Sequence, residues 1–217
     1  MRVRNLYVMG PHFPQRLRWI SLTIFLAVLG PIIGMTMAHS QEFDGPPLAQ
    51  GVFLLATPEM RDPNFIHAVI VIVQYGKDGC AGLMINKPTS LRAADALSDL
   101  SGANKLSEPI FFGGPVQQDR LFILLYGKKT IEDAGKILDD LYLTVSKKGL
   151  SDALKEKDPG ETMRLYAGYA GWGAGQLERE IRLGAWRILR PDTRMIFSED
   201  PSTVWSTLLR RGPEHVI

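Results

Sequence analysis

Residues 68–75, AVIVIVQY, contain five consecutive β-branched residues, Val69 to Val73. Such side chains fit the pleated surface of a strand better than a helix, so this stretch predicts a strand. A glycine-bounded polar turn follows at residues 76–79, and an apolar segment resumes at residues 81–86. The two apolar runs and the short turn between them predict a β-hairpin.

The remaining pattern predicts more strands than long helices. Further strands are expected at residues 52–56, 109–112, 121–126, 141–145, 163–169 and 185–189, with residues 194–197 extending the sheet. Helices are expected at residues 91–100 with Ser90 as the cap, at 150–155, at 175–183 with Gly184 as the C-terminal stop, and at 202–211. Strands do not alternate regularly with crossover helices. The expected fold class is therefore α+β, or mixed α/β, with a mixed, largely antiparallel β-sheet and packed helices in a single compact domain.

The N-terminus has the pattern of an export signal. Residues 19–38, WISLTIFLAVLGPIIGMTMA, contain no charged residue and follow a segment whose only charges are four arginines, Arg2, Arg4, Arg16 and Arg18. A basic region followed by an apolar one predicts a signal peptide. About 20 apolar residues also match the thickness of a bilayer, so an uncleaved anchor is an alternative. Translation from Met35, which would give a cytoplasmic protein, is a second alternative.

This pattern sets the expected domain organisation. Residues 1–40 form a signal peptide or N-terminal membrane anchor, residues 41–50 an irregular segment, and residues 51–217 the folded domain. The protein is expected to be exported, either to the periplasm or anchored in the inner membrane. Membrane contact is expected through residues 19–38.

Charge does not favour a nucleic-acid partner. The chain of 217 residues has 25 Lys and Arg and 23 Asp and Glu, and residues 1–40 hold four of the cations and none of the anions. The remainder therefore has 21 cations and 23 anions, a net charge of −2. Nucleic-acid-binding proteins usually concentrate cations against phosphates, so nucleic acid is an unlikely partner by this criterion.

Few residues suit catalysis or metal binding. Cys80 is the single cysteine and lies in an apolar segment, so it is predicted to be a small core residue. Outside the leader the only histidines are His67, predicted to be structural or at a strand edge, and His215. The sequence has no Gly-x-Ser-x-Gly segment, and its His and Cys are too few for a typical zinc site. The acidic pairs Asp139–Asp140 and Glu178–Glu180 lie in polar stretches and are predicted to belong to solvated faces. No catalytic residue, metal site or cofactor is predicted.

Glycine-rich segments are the most site-like features. Residues 168–176, GYAGWGAGQ, lead from a predicted strand into a predicted helix, where backbone N–H groups from Gly173 to Gln176 would face an anion. The alternative is a tight turn in which Trp172 covers the core, since neither dinucleotide nor P-loop spacing is met. The segment Gly113-Gly114-Pro115 is either a strand reversal or a binding segment. Asn86, Lys87 and Pro88 end an apolar strand with polar groups, and they either line a cleft with Asp119 and Arg120 or belong to a surface arrangement. The candidate ligand-binding residues are Asn86, Lys87, Gly113, Gly114, Arg120, Gly171, Trp172, Gly173 and Gln176.

Three ordered blocks resemble the YqgE/AlgH family. They are LLATPEMRDPNF (54–65) with GLMINKP (82–88), then FGGPVQQDR (112–120), then GYAGWGAGQLERE (168–180). The resemblance extends over residues 51–209 and implies a small mixed α/β domain. Some members carry a transcription-regulator label. The chain departs from the family pattern in its leader and in having Gln74 and Tyr75 where many members have a histidine.

The expected function is that of a non-enzymatic binding or regulatory accessory protein of the cell envelope, acting on a protein or a small anionic ligand. One alternative is an enzyme of unknown type with a glycine-rich cleft, which requires Asn86, Arg120 and Gln176 to converge. The other is a transcriptional regulator, as the family label implies. Export and the net charge of −2 oppose it.

Overall fold

The predicted hairpin lies within one half of a ten-stranded sheet. The computed structural model describes residues 45–127, 133–155 and 161–211. The strands are β1 (Phe53–Ala56), β2 (Val69–Gly76), β3 (Gly79–Met84), β4 (Pro88–Arg92), β5 (Pro109–Phe112), β6 (Val116–Tyr126), β7 (Ala134–Leu138), β8 (Leu141–Thr144), β9 (Thr162–Gly173) and β10 (Trp186–Leu189). The helices are α1 (Ala93–Ala96), α2 (Lys147–Lys155), α3 (Gln176–Arg182), α4 (Thr193–Ile196) and α5 (Pro201–Arg211), with a 3₁₀ turn at Ala103–Lys105. Among the described residues, no helix is both long enough and apolar enough to cross a membrane.

Strand β9 joins the two halves of the sheet. The strand order is β10-β1-β2-β3-β9-β6-β8-β7, with β4 paired to β5. The first part of β9 pairs with β6 and, in parallel, with β5, while its last part pairs antiparallel with β3. The parallel β5–β9 pair is the exception in a sheet whose other described pairs are antiparallel. The predicted fold class is confirmed.

Both halves of the sheet face one inner core, which requires the sheet to curl into a half-barrel. We call inner core the cluster that includes Phe53, Leu55, Val69, Val71, Leu83, Phe111, Phe122, Leu124, Leu143, Tyr166, Tyr169, Val204 and Leu208. Residues that alternate with these point to the opposite face of the sheet. On one half they pack with α3, and on the other with α1 and α2. Strands such as β2 are buried on both faces, which explains their continuous apolar sequence.

A bulge in β9 keeps two tyrosines in the inner core. Tyr166 and Tyr169 both belong to that core although they are three residues apart, whereas strand side chains alternate with a period of two. Gly168 between them has φ +71° and shifts the alternation of side chains along β9 by one residue, an irregularity that we call the β9 bulge. Opposite it, β6 pairs Val116 with Tyr169 and next Leu121 with Ala167, so residues 117–120 loop out of the ladder.

The bulge brings two backbones closer than side chains permit. A Cβ atom at Gly168 would lie 2.5 Å from the carbonyl oxygen of Gly114 and 2.7 Å from that of Val116. Likewise, a Cβ at Gly113 would collide with the carbonyl oxygen of Gly168, and one at Gly114 with the backbone of Tyr169. Glycine is therefore required on both sides of this crossing.

The segment before β1 runs between the two end strands of the sheet. Gly45 packs against β10, because a Cβ there would lie 2.7 Å from the carbonyl oxygen of Ile188. At the other end of the segment, Gln50 Nε2 donates a hydrogen bond of 2.9 Å to the carbonyl of Lys136 in β7. Residues 45–50 contain no helix or strand. They therefore link β10 to β7 across the open side of the half-barrel.

Arg164 is a buried cation on β9 that holds the segment after α4. Its side chain is 3% exposed and forms an ion pair of 2.9 Å with Glu108, which is 46% exposed. The guanidinium also donates to the carbonyls of Ile196 at 2.6 Å and Ser198 at 3.1 Å. Its Cζ lies 4.3 Å from the ring centroid of Phe111. These contacts satisfy a charge that would otherwise be costly to bury.

Two helix–strand predictions are wrong. Residues 88–92 form β4, and the helix predicted at 91–100 is reduced to α1. Ser90 lies inside the strand, because pairing with β5 and the bond from the Thr89 hydroxyl to the Ile110 carbonyl override the local helical pattern. Residues 194–197 do not extend the sheet but lie largely in α4, where the Asp192 carboxylate accepts from the Arg194 N–H at 3.1 Å and caps the helix.

Other predictions hold with shifted bounds. The predicted stop at Gly184 is confirmed, with φ +77° directly after Leu183 at the end of α3. Helix α5 begins at Pro201. Cys80 is buried, as predicted. It belongs to the cluster beneath α3 that we call the outer core, which includes Trp172, Leu177, Ile181 and Trp186. Strand β7 was not predicted, because its sequence AGKIL has neither β-branched runs nor strict alternation.

Replacing Gly168 with alanine is expected to destabilise the domain by about 3 kcal/mol or more, since backbone strain adds to the collision with two carbonyls. Gly184→Ala is the matched control. Gly184 has a similar φ of +77° but nothing within 4 Å of its Cβ position. It should lose about 1 kcal/mol, from strain alone. Chemical denaturation of both variants measures the difference, and equal losses would contradict the close-approach explanation.

Arg164→Met is expected to lower the free energy of unfolding by about 3 kcal/mol, because it breaks a buried ion pair and frees two carbonyls. Glu108→Gln should cost less than about 1 kcal/mol, since Glu108 is half-exposed and screened by water. Urea unfolding of the two variants tests this order. A larger loss for Glu108→Gln would show that the ion pair, rather than the carbonyl contacts, holds the segment after α4.

Candidate functional site

Asn86 follows the end of β3 and forms hydrogen bonds with the backbone at the start of β2. Its Oδ1 accepts from the Val69 N–H at 2.9 Å, and its Nδ2 donates to the His67 carbonyl at 2.9 Å. The residue is 7% exposed. The amide therefore fixes the start of β2, a structural use of a predicted ligand-binding residue.

Lys87 binds the same segment one residue earlier. Its Nζ donates to the Ile66 carbonyl at 2.8 Å, and its own carbonyl accepts from the Phe112 N–H at 2.8 Å. Burial of its side chain lowers the pKa of the Lys87 amine. Lys87 thus ties the loop before β2 to the end of β5.

The loop of residues 57–67 ends in a left-handed residue. Asp62 caps a single helical turn, in which its carbonyl accepts from the Ile66 N–H at 3.1 Å. His67 follows with φ +55°, a conformation that glycine more often adopts at the end of a turn. Its ring lies 4.1 Å from that of Trp205, whose Nε1 donates to the Ala56 carbonyl at 2.7 Å. The prediction that His67 is structural agrees with these contacts.

Gly113, Gly114 and Arg120 lie around the β9 bulge. The Gly113 N–H donates to the Ala167 carbonyl at 2.9 Å, and the Gly113 carbonyl accepts from the Met84 N–H at 2.9 Å. The glycines thus stand where β3, β5 and β9 meet. Arg120 belongs to the looped-out part of β6. Burial raises the pKa of the Tyr169 hydroxyl, and the positive charge of Arg120 opposes this rise.

Gly171, Trp172 and Gly173 lie in β9, and the tight turn into α3 is confined to residues 174–175, with Gly175 at φ +72°. Trp172 is buried in the core, as the alternative prediction expected. Gly171 pairs with Ala81, and Gly173 with Gly79. The N–H of Gly173, one of the predicted anion donors, donates to Gln176 Oε1 at 3.1 Å. Helix α3 is only seven residues long. One of the proposed anion-binding groups is therefore occupied by the chain's own amide side chain.

Glu180 is the acceptor that organises this end of β9. Its Oε2 accepts from the indole N–H groups of Trp172 and Trp186, both at 2.9 Å, and its Oε1 accepts from Gln176 Nε2 at 2.9 Å. Phe65 completes the cluster, with its ring centroid 5.5 Å from that of Trp186. The prediction that Glu180 lies on a solvated face is wrong, because acidic residues on a helix do not reveal which tryptophans a fold will bring to them.

Two other groups in this region have raised pKa values. The hydrogen bond to Glu178 raises the pKa of the Tyr75 hydroxyl, and burial adds to the effect. Burial, with smaller contributions from Glu178 and Glu180, raises the pKa of the Cys80 thiol to about 12. Cys80 is therefore a neutral thiol over the physiological range of pH.

The candidate residues fall into separate groups. Asn86 and Lys87 hold the loop before β2, Gly113 and Gly114 form the backbone crossing, and Gln176 belongs to the Glu180 cluster. Asn86 and Gln176 each bond within their own group rather than to one another. Among the described residues, no group of three or more His, Cys, Asp and Glu side chains is placed to hold a metal ion.

Two relatives are similar in sequence to this chain over most of their own length. A UPF0301 protein of Vibrio cholerae is 35% identical over 167 residues, covering 73% of this chain and 89% of the relative. A UPF0301 protein of Paracoccus denitrificans is 37% identical over 167 residues, covering 74% of this chain and 87% of the relative.

Solved structures share the fold. The solution structure of AlgH from Pseudomonas aeruginosa superimposes with a TM-score of 0.63 at 28% identity, covering 84% of this chain and 94% of that one. The crystal structure of a Corynebacterium diphtheriae protein gives a TM-score of 0.69 at 20% identity, covering 82% and 96%, and shows likeness of fold alone. Residues 53–215 match the AlgH-like family. The chain therefore belongs to the AlgH-like family, as its three ordered sequence blocks indicated.

Proposed function

We propose that this protein is a non-enzymatic binding or regulatory accessory protein of the cell envelope, acting on a protein or a small anionic ligand. One observation carries the proposal: polar side chains of the family blocks are bonded to their own fold. Asn86 and Lys87 bind backbone groups of the loop before β2, and Glu180 binds two indoles. These side chains stabilise the domain and leave its surface for binding.

The geometry gives less support to an enzyme. Acyl transfer or hydrolysis requires a nucleophile, a base within hydrogen-bond reach and a group that orients the base. The ring of His67 packs on Trp205, and the Cys80 thiol has a pKa of about 12. Asn86 and Gln176, two of the three residues required for the glycine-rich cleft, serve separate groups.

The envelope location rests on the leader. Four arginines precede an uncharged apolar stretch at residues 19–38, and the chain after residue 40 has a net charge of −2. Export would place this acidic domain away from the chromosome. The regulator alternative is supported only by a label that some relatives carry.

Fractionation of the native host, followed by N-terminal sequencing, tests the location. We expect either a product that begins near Gln41 in the periplasm or an intact chain in the inner membrane. As a control, a variant that combines Arg2→Glu, Arg4→Glu, Arg16→Glu and Arg18→Glu should remain in the cytoplasm, because the basic region directs export. A native product that starts at Met35 and stays in the cytoplasm would overturn the proposal, and specific DNA binding in the presence of competitor would favour the regulator.

The binding role is tested on the exported form. Purification from several growth conditions should yield a bound small molecule or a co-purifying envelope protein, identified by mass spectrometry. Absence of any ligand or protein under all conditions would count against the binding role.

Asn86→Ala should reduce thermal stability, since two backbone groups lose their partner.

Cys80 is expected to resist thiol reagents while the domain is folded. The raised pKa keeps the Cys80 thiol protonated at pH values well above 9.0, its ordinary pKa. Labelling should therefore begin only as the pH approaches about 12, or once the chain unfolds. The stability that comes from burying the neutral thiol is complete below pH 9 and is lost as the pH rises towards about 12. Rapid labelling of the folded protein at neutral pH would contradict this expectation and make Cys80 a candidate reactive thiol.

A further inference from the structure

Helix α3 exposes two arginines to solvent. Its carboxylates are bonded within the protein: Glu178 accepts from the Tyr75 hydroxyl at 2.9 Å, and Glu180 binds the indoles. Arg179 and Arg182 are exposed and stand three residues apart, which places them on one side of the helix. Neither forms an ion pair with a carboxylate of the described residues. Arg179 and Arg182 are therefore exposed cations with no ion-pair partner among the described residues, while Glu178 and Glu180 are held by neutral donors.

Two neighbouring residues extend this surface. Leu183 follows α3 and is 74% exposed, more than any other large apolar side chain in the described part of the chain. Arg190 directly follows β10 and is exposed. It also forms no ion pair with a carboxylate of the described residues. It lies two residues after Ile188, which packs on the face of the sheet that α3 covers. We call Arg179, Arg182, Leu183 and Arg190 the arginine face.

The leader joins the domain beside this face. Gly45 packs against the carbonyl of Ile188 in β10, and Leu48 packs on the same outer core as Leu177 and Ile181 of α3. Six residues, 39–44, separate the apolar stretch from Gly45. Six residues span at most roughly 20 Å. While the apolar stretch lies in a bilayer, the surface around Gly45 must therefore stay close to the lipid headgroups.

We propose that the arginine face docks on the anionic surface of a membrane, by binding the phosphodiester headgroups of lipids such as phosphatidylglycerol. This inference rests on the proposed envelope location. Arginine suits phosphate because its planar guanidinium donates two parallel hydrogen bonds. The exposed Leu183 inserts at the boundary between headgroups and acyl chains, a contact that a nucleic acid would not provide.

Binding of the full chain to vesicles tests the inference. The vesicles contain equal parts of phosphatidylglycerol and phosphatidylcholine, or phosphatidylcholine alone, and the ratio of the two partition coefficients is measured. Each arginine near an anionic leaflet increases partitioning by about fivefold. The triple variant Arg179→Gln, Arg182→Gln, Arg190→Gln should lower the ratio by at least about tenfold, and added salt should lower the parent's ratio.

A matched triple variant removes equal charge on the side of α1 and α2. Arg92→Gln, Lys105→Gln and Lys147→Gln replace exposed cations and should leave the ratio within about twofold of the parent. All three proteins carry the same leader, so its contribution cancels. Circular dichroism and thermal unfolding establish that each variant is folded.

Several outcomes would overturn the inference. They are an unchanged ratio in the arginine-face variant, an equal fall in the control variant, complete competition by soluble glycerol phosphate, and preferential binding of nucleic acid. Failure of the proposed function is separate. If fractionation shows export but the ratio of partition coefficients does not depend on the arginine face, the envelope role is supported and membrane docking by the arginine face is refuted. If the protein proves cytoplasmic, the envelope role falls whatever the vesicles show.

Discussion

The close approach of backbones at Gly168 is the constraint on which the rest of the structure depends. The φ of +71° there shifts the side-chain alternation of β9 by one residue, so that Tyr166 and Tyr169 both enter the inner core. Along one edge β9 pairs with β6, and along the other it pairs with β5 before Gly168 and with β3 after it. Without the bulge, the two halves of the sheet could not share one core. Gly113 and Gly114 are the matching side of the crossing.

This constraint gives the family blocks an architectural meaning. The block with Gly113 and the block with Gly168 meet at the crossing, while Asn86 and Lys87 fasten the loop before β2 beside it. Such positions resist substitution because side chains cannot fit or buried backbone groups would lose their partners. A sequence family can therefore share distinctive residues without sharing a catalytic site. Binding specificity would then lie on exposed side chains that are not bonded within the fold, such as those of the arginine face.

Particular residues show where sequence patterns predict a site and where they do not. Asn86 was identified as important because a polar residue ends an apolar strand, but its partners, Val69 and His67, became known only from the folded chain. Nothing in the pattern distinguished Glu180 from a solvated acid. Two indoles reach it from β9 and β10 because those strands lie under α3. Such contacts join residues that no local periodicity relates.

The sequence alone determined the elements whose signals are local. The β-branched run made β2 a strand, Gly184 ended α3, Pro201 began α5, and the arginines before the apolar stretch gave the N-terminus its export pattern. Only the tertiary structure decided that residues 88–92 pair as β4, that β5 runs parallel to β9, and that the sheet bends at Gly168. The reason is physical: hydrophobic periodicity is set by neighbours along the chain, whereas strand pairing and bulges are set by which distant backbones satisfy one another's hydrogen bonds.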